Sequence, residues 1–158
     1  MVHPGVVKMS KTENNNSALV SKTVSEEEAA KFDLGVHLIR LMWSEPFFAE
    51  ILRIIKKKSS DRIPTAGVFI KNSEMNLIYN NSFMAGLTPD EIKGLLKHEC
   101  YHLIFEHTTT RRHDPHIIWN YATDLAINSL IAENELPEGG LIPGKAFKSL
   151  TPEQTQKM

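Results

Sequence analysis

The stretch His98-Glu99-Cys100-Tyr101-His102 limits what this chain can be more than any other part of the sequence does. In a helix, two histidines four positions apart lie on one face, so both imidazole rings can reach the same metal ion. Glu99 is rotated by about 100° from His98, which suits a general base better than a ligand. The pattern therefore predicts a zinc site with His98 and His102 as ligands and Glu99 as the base for a metal-bound water.

The residues around this motif predict the helix that it requires. Thr88 can cap the helix, Pro89 suits its first turn, and Glu91 can close a capping box. The helix should continue through His107 and end at three β-branched threonines, residues 108–110. Apolar residues recur at helical spacing, so one side of the helix should be buried: Ile92, Leu95, Leu96, Leu103 and Ile104.

Length and composition favour one domain without a nucleic-acid or membrane partner. A chain of 158 residues can bury one core. Its formal net charge of −1 offers no general attraction to nucleic acid or to an anionic membrane. No apolar run approaches the roughly 20 residues of a membrane span. The single cysteine, Cys100, precludes an internal disulfide and fits a reducing compartment, so we expect a cytoplasmic protein.

Capping residues, prolines and polar segments along the chain predict its organisation. Residues 1–24 are polar and aperiodic and should form a mobile N-terminal segment, followed by the domain over residues 25–150 and a tail over 151–158. Ser25 begins a capping box, which predicts a helix with an apolar stripe that runs to about Trp43. Pro46 predicts the next helix, which should end at Lys56-Lys57-Lys58 because cations complement the helix dipole there.

A sheet and a last helix complete the predicted fold. Residues 65–70 and 75–80 are β-prone and joined by a short polar linker, which predicts an antiparallel hairpin. Asp114 and Pro115 are typical of a helix start, and that helix should run to about Asn134. We therefore expect an α+β fold with about four main helices and a small antiparallel β-hairpin or sheet beside the motif helix.

Four residues compete for the place of third protein ligand: His107, His113, His116 and Asp124. His107 lies about 140° round the helix from His102 and could join only if the helix broke between them. If the chain reverses after His107, Asp124 is nine residues up the returning helix from Pro115. His98 is nine residues down the first helix, so the two are level at ~1.5 Å per residue. We therefore expect Asp124 to complete the metal site, with a fourth position left for water.

Other polar residues are candidates for supporting the ligands or binding substrate. Asn120 and Asn128 lie one turn either side of Asp124 and could orient its carboxylate or contact substrate. An oxyanion partner is also needed, and the sequence does not rank its candidates: Tyr79, Tyr101, His113 and His116. The edge of the hairpin could bind a substrate backbone.

Two segments, residues 95–102 (LLKHECYH) and 119–128 (WNYATDLAIN), resemble a predicted metallopeptidase domain of bacterial and phage proteins that is often found ahead of a von Willebrand factor A-like domain. The resemblance runs from Met42 to Pro137, over half of the chain. It implies a zincin-like fold, a metal at the two motif histidines, a catalytic Glu99 and a role for Asp124. Since the chain stops at Met158, it also implies a von Willebrand factor A-like partner or a missing C-terminal domain.

Two classes of function remain open at this point. The favoured one is a zinc-dependent hydrolase, specifically a metallopeptidase acting on a peptide or protein substrate; hydrolysis follows from the motif and peptide cleavage from the resemblance. The alternative is a zinc-stabilised, non-catalytic scaffold or interaction domain of a larger assembly, such as a phage one. The intact Glu99 argues against this alternative, because a purely structural site needs no base. The remaining alternative is that His98 and His102 are ordinary helix histidines and that Glu99 lies on a solvated face.

Overall fold

The computed structural model describes residues 24–107 and 116–142. Outside these ranges lie residues 1–23, the threonines predicted to end the motif helix (108–110), His113, the predicted helix start at Asp114 and Pro115, and residues 143–158. Within them, no helix has both the length and the apolar character needed to cross a membrane. The described helices are α1 (Glu26–Lys31), α2 (Leu34–Ser44), α3 (Pro46–Ile54), α4 (Asn81–Ala85), α5 (Pro89–Ile104) and α6 (His116–Asn128), and the strands are β1 (Lys56–Ser59), β2 (Ala66–Lys71) and β3 (Glu74–Tyr79).

The sheet is mixed, so the prediction of an antiparallel sheet is wrong for the sheet as a whole. Its order is β1-β3-β2, with β2 antiparallel and β1 parallel to β3. The lysines expected to end a helix lie instead in β1, where Lys56 pairs with Asn76. Lysine has weak strand propensity, so these residues form a strand because they pair with the edge of β3 that β2 leaves open. The Lys56 ammonium also lies 2.7 Å from a carboxylate oxygen of Glu74.

The helix starts predicted at Ser25, Pro46 and Thr88 are confirmed, and two of them are capping boxes. The Thr88 hydroxyl accepts from the Glu91 N–H at 3.2 Å, and the Glu91 carboxylate accepts from the Thr88 N–H at 2.7 Å. Ser25 begins α1 with the same arrangement. Pro46 is the first residue of α3.

Helix lengths differ from the predictions. The helix predicted from Ser25 to Trp43 breaks in two, because the Asp33 side chain accepts from the Gly35 N–H at 2.8 Å and so caps a new helix, α2. The predicted apolar stripe is partly exposed, and Trp43 at its end is 87% exposed. α5 ends before His107 and α6 ends before Asn134, and α4 forms between β3 and α5, where the sequence predicts no helix.

Helix α5 separates two groups of buried apolar side chains. The larger group lies among α2, α3, α5 and the sheet, and on α5 it includes Leu95, Leu96 and Cys100. The smaller group joins α6 to the chain after it and consists of Ile127, Ile131 and Leu136. Tyr101 packs against both. The motif helix is therefore buried on more than one side, which is unusual for a helix with so many polar residues.

After α6, residues 129–142 turn back across α5; we call them the return segment. The crossing occurs at Gly94, where an added Cβ would lie 1.9 Å from the carbonyl oxygen of Glu135. The Glu135 carboxylate lies 2.7 Å from the Lys93 ammonium and 3.0 Å from that of Lys97. Lys97, which is buried, also lies 3.0 Å from Glu45 at the start of α3. These ion pairs hold α3, α5 and the return segment together.

Replacing Gly94 by Ala should destabilise the protein, although alanine favours a helix by up to about 1 kcal/mol over glycine. The methyl group would overlap the Glu135 backbone, which must then move, at a cost of about 1–3 kcal/mol or more. Urea unfolding measures the change. Gly86→Ala is the comparison, since its new methyl would meet a side-chain atom of Val24 at 3.2 Å. A Gly94→Ala protein more stable than the wild type would show that the return segment does not cross here.

The ion pairs of Glu135 predict a dependence of stability on pH. Burial raises the pKa of the Glu135 carboxyl, but the ammonium groups of Lys93 and Lys97 lower it more, to below its ordinary value of 4.5. A carboxyl with a lowered folded-state pKa stabilises the fold above its unfolded pKa and loses that contribution as the pH falls through the folded pKa. The difference in unfolding free energy between wild type and Glu135→Gln should therefore be full near neutral pH and shrink below about pH 4.5.

Unfolding titrations of the two proteins across this range measure the difference. Glu74→Gln is the control, because the pair of Glu74 with Lys56 is exposed and exposed pairs contribute little. A difference for Glu135→Gln that stays constant from neutral to acidic pH would contradict the assignment.

Candidate metal centre

Helices α5 and α6 bring together His98, His102 and Asp124, whose potential ligand atoms all lie within 4.8 Å of one another. The two Nε2 atoms are 2.9 Å apart, and Asp124 Oδ1 lies 3.2 Å from His102 Nε2 and 3.6 Å from His98 Nε2. Ligands of a tetrahedral zinc ion, at ~2.0–2.1 Å from the metal, would be separated by roughly 3.3 Å. These three residues could therefore hold a metal ion with little movement.

Asn128 determines which nitrogen of His98 is available. Its Nδ2 donates to the Leu141 carbonyl oxygen at 2.8 Å, and since a carbonyl can only accept, this contact orients the amide. Its Oδ1 then faces His98 Nδ1 at 2.7 Å and can only accept. His98 must therefore carry a proton on Nδ1, and in the neutral ring Nε2 presents a lone pair to His102 and Asp124.

The cluster is short of hydrogen-bond donors. Within the described ranges, Asp124 Oδ1 is fully buried and has no hydrogen-bond partner of acceptable geometry. His98 Nε2 also presents a lone pair there, and its neighbour His102 Nε2, 2.9 Å away, can donate to it in only one of the two neutral tautomers of His102. Buried acceptors without donors are costly, whereas a cation would satisfy them together. The residues present therefore fit a bound metal ion.

Burial and charge act against each other at this centre. Burial raises the pKa of the Asp124 carboxyl, but the imidazoles of His102 and His98 lower it more, so the carboxylate form is favoured. Burial lowers the pKa of His98, and the nearby carboxylates of Asp124 and Glu99 more than reverse that effect. A positive charge is thus favoured at the point where these groups meet.

Glu99 lies beside the cluster and is not part of it. Its side chain is 2% exposed, and its Oε2 accepts a hydrogen bond from the backbone N–H of Val68 in β2 at 3.1 Å. Burial raises the pKa of Glu99, against the opposing influence of the two histidines and of the Val68 N–H. The residue is therefore a buried carboxyl with a raised pKa, held between the motif helix and a strand.

Other candidates from the sequence make different contacts. Tyr79 packs its ring edge against Phe32 at 6.2 Å, and Tyr101 stacks on Phe105 at 5.6 Å. The Asn120 carbonyl accepts from the Thr123 hydroxyl, and the described part of the chain gives its side chain no hydrogen bond to the cluster. Asn128 binds a histidine instead of the Asp124 carboxylate. For His116, only its place as the first residue of α6 is described.

His107 reaches the centre in a way that the sequence did not indicate. α5 ends at Ile104, and Glu106 adopts a left-handed backbone conformation with φ 57°. The chain therefore turns, and His107 Nδ1 comes within 3.3 Å of His102 Nδ1. This is the ring nitrogen of His102 that faces away from His98, so His107 stands behind His102 and outside the cluster. The contacts from Val68 and Leu141 were also missed, since backbone groups leave no signal in a sequence.

Comparisons with known proteins gave one kind of match. Neither the curated proteins nor the solved structures include a significant match to the chain. A protein family described as "Putative metallopeptidase domain" matches residues 33–155. The match spans well over half of the chain and contains both α5 and α6, which carry the cluster. The chain therefore belongs to this family of metallopeptidase-like domains.

Proposed function

We propose that this protein is a zinc-dependent hydrolase of peptide bonds with a zincin-like fold. The observation that carries the proposal is the convergence of His98, His102 and Asp124 on one point beside the buried carboxyl of Glu99. Membership of a metallopeptidase-like family supports peptides as the substrate class. The donor set of two imidazoles and one carboxylate, with room for a fourth ligand, is the composition of catalytic zinc sites.

In this mechanism each side chain has a separate role. His98, His102 and Asp124 would hold the ion, which when bound would polarise the scissile carbonyl and make a water molecule more acidic. Glu99 accepts the proton that the attacking water loses and donates it to the departing amine. The raised pKa of Glu99 suits this exchange, because a carboxyl that binds a proton more readily is the stronger base. The Val68 N–H holds the carboxylate in place.

The β2 edge supports a mode of substrate binding. β2 is at one end of the sheet and pairs only with β3 in the described ranges. In an antiparallel pair, alternate residues direct their backbone groups away from the partner strand. The backbone N–H of Val68 points away from β3, toward Glu99. The backbone groups of Ala66 and Ile70, two residues to either side, therefore also point away from β3. A peptide that pairs with this edge would bring its backbone next to Glu99, which is the proposed mode of recognition.

Glu99→Gln should leave zinc binding close to one ion per chain and abolish peptide hydrolysis. The amide oxygen still accepts from the Val68 N–H but cannot take a proton, so the variant keeps the contact and loses the base. Zinc content and a proteomic cleavage screen, each against wild type, measure the two properties. His102→Ala is the control that should lose both. If Glu99→Gln empties the site, Glu99 is a ligand and the mechanism is wrong.

Asp124→Ala should weaken zinc binding by more than about 100-fold, the upper end of the effect seen for residues that only support ligands. The substitution removes one of three proposed ligands and leaves the histidines in place. Competition titration with a zinc chelator measures the affinity. Asn120→Ala is a matched control on the same helix, one turn earlier, and should retain wild-type affinity. Equal affinities for the two variants would remove Asp124 from the site.

One observation favours the alternative, a zinc-stabilised scaffold without activity. His98, Glu99, His102 and Asp124 are all buried, and Asp124 is the most exposed of them at 7%. Structural zinc sites are closed, whereas catalytic sites keep a position open to substrate. A wild-type protein that holds zinc, depends on it for stability and cleaves no peptide in the screen would establish this alternative.

A further inference from the structure

We infer that His107 is a positioning residue for the metal centre, which accepts a hydrogen bond from His102 Nδ1 and so directs the Nε2 lone pair of His102 toward the metal. The inference rests on the proposed metal site. It starts from a contact that catalysis does not use: the two Nδ1 atoms lie 3.3 Å apart, on the side of the His102 ring away from His98.

The backbone brings His107 to this position. The His107 N–H donates to the His102 carbonyl at 3.0 Å, and the Glu106 N–H donates to the Leu103 carbonyl at 3.1 Å. With Glu106 in the left-handed region, these two bonds form a common helix-ending turn, in which the left-handed position is usually glycine. Here a glutamate takes the glycine position. The turn folds His107 back over the last turn of α5, directly behind the ligand His102.

Aromatic neighbours hold the His107 ring at this angle. Trp119 on α6 meets it edge-on, with ring centroids 5.8 Å apart. Phe105 lies on α5's own terminal turn at 5.6 Å. The ring of His107 also stands edge-on to that of His102, at 71° and 5.4 Å. Contacts from both helices therefore orient the nitrogen that faces His102.

The consequence concerns the tautomer of His102. A neutral imidazole has one N–H, and without an acceptor at Nδ1 the proton would favour Nε2, where it can point at His98 Nε2 only 2.9 Å away. A metal ion would have to displace that proton before it could bind. An acceptor at Nδ1 moves the proton to the far side of the ring and leaves Nε2 free. His107 provides this acceptor when its own proton is on Nε2.

His98 supplies an internal parallel. Its Nδ1 faces the Asn128 amide oxygen, whose orientation is determined by the Leu141 carbonyl. Both proposed histidine ligands therefore have a neutral acceptor behind them, an amide for one and an imidazole for the other. The two acceptors come from different parts of the chain, so each can be removed while the other stays.

Two substitutions of His107 separate the acceptor from the ring. His107→Phe keeps an aromatic ring beside Trp119 and removes the acceptor nitrogen. His107→Asn loses the ring but places an amide oxygen close to the position of Nδ1. His37→Phe is the control: His37 also stacks on an aromatic ring, that of Phe32 at 5.4 Å, and lies on α2. Zinc affinity is measured by chelator competition at one pH, together with the unfolding midpoint of each protein.

We expect His107→Phe to weaken zinc binding about 10–100-fold, the usual effect of losing such a partner. His107→Asn should restore most of the affinity, and His37→Phe should leave it unchanged. In the zinc-loaded wild type, the Nδ1 proton of His102 should give a slowly exchanging NMR signal that His107→Phe abolishes. Zinc affinity and this signal are read without any activity assay.

Three outcomes would overturn the inference, and they are distinguishable. A wild-type protein that binds no zinc removes the proposed function as well. Wild-type zinc binding that is unchanged in His107→Phe removes only the role of His107. Equal losses in His107→Phe and His107→Asn, with parallel falls in the unfolding midpoint, would show that His107 acts through packing alone.

Discussion

The convergence of hydrogen-bond acceptors inside the protein is the constraint on which the rest of the structure depends. Asp124 Oδ1 and His98 Nε2 face one another without a donor that satisfies both. An unsatisfied buried polar group costs about 1–3 kcal/mol, so such a centre forms only where other interactions hold it together or a cation occupies it. The first condition is met by the packing around the cluster, and the geometry of the three residues fits a metal ion.

The interactions that hold the centre are concentrated on α5. One side of this helix packs into the main core, and another is crossed by the return segment at Gly94. The buried ammonium of Lys97 connects the helix to Glu45 and Glu135 on either side. Through the Leu141 carbonyl, the return segment also orients Asn128 and hence His98. The same segment that crosses α5 therefore also orients one of the two motif histidines.

The parts of the fold that were predictable are those governed by neighbours in sequence. Capping boxes locate the helix starts at Ser25 and Thr88, because their hydrogen bonds span three residues, and Pro46 locates another because the proline ring suits the first helical position. The hairpin of β2 and β3 follows from local propensity. The three lysines of β1 predict the end of a helix, because consecutive lysines do not favour a strand. Its pairing with β3 is a long-range interaction, which no local pattern encodes.

The same division applies to the candidate metal centre. The sequence by itself determined that His98 and His102 share a helix face and that Asp124 is level with them on a returning helix, because helical rise and spacing are properties of the chain. It also determined that Glu99 turns away from that face. Only the tertiary structure decided that Asn128 and His107 stand behind the two motif histidines and that the Val68 N–H binds Glu99. These contacts depend on backbone groups, on a left-handed residue and on the crossing of separate segments, and none of them has a spacing that a sequence pattern can express.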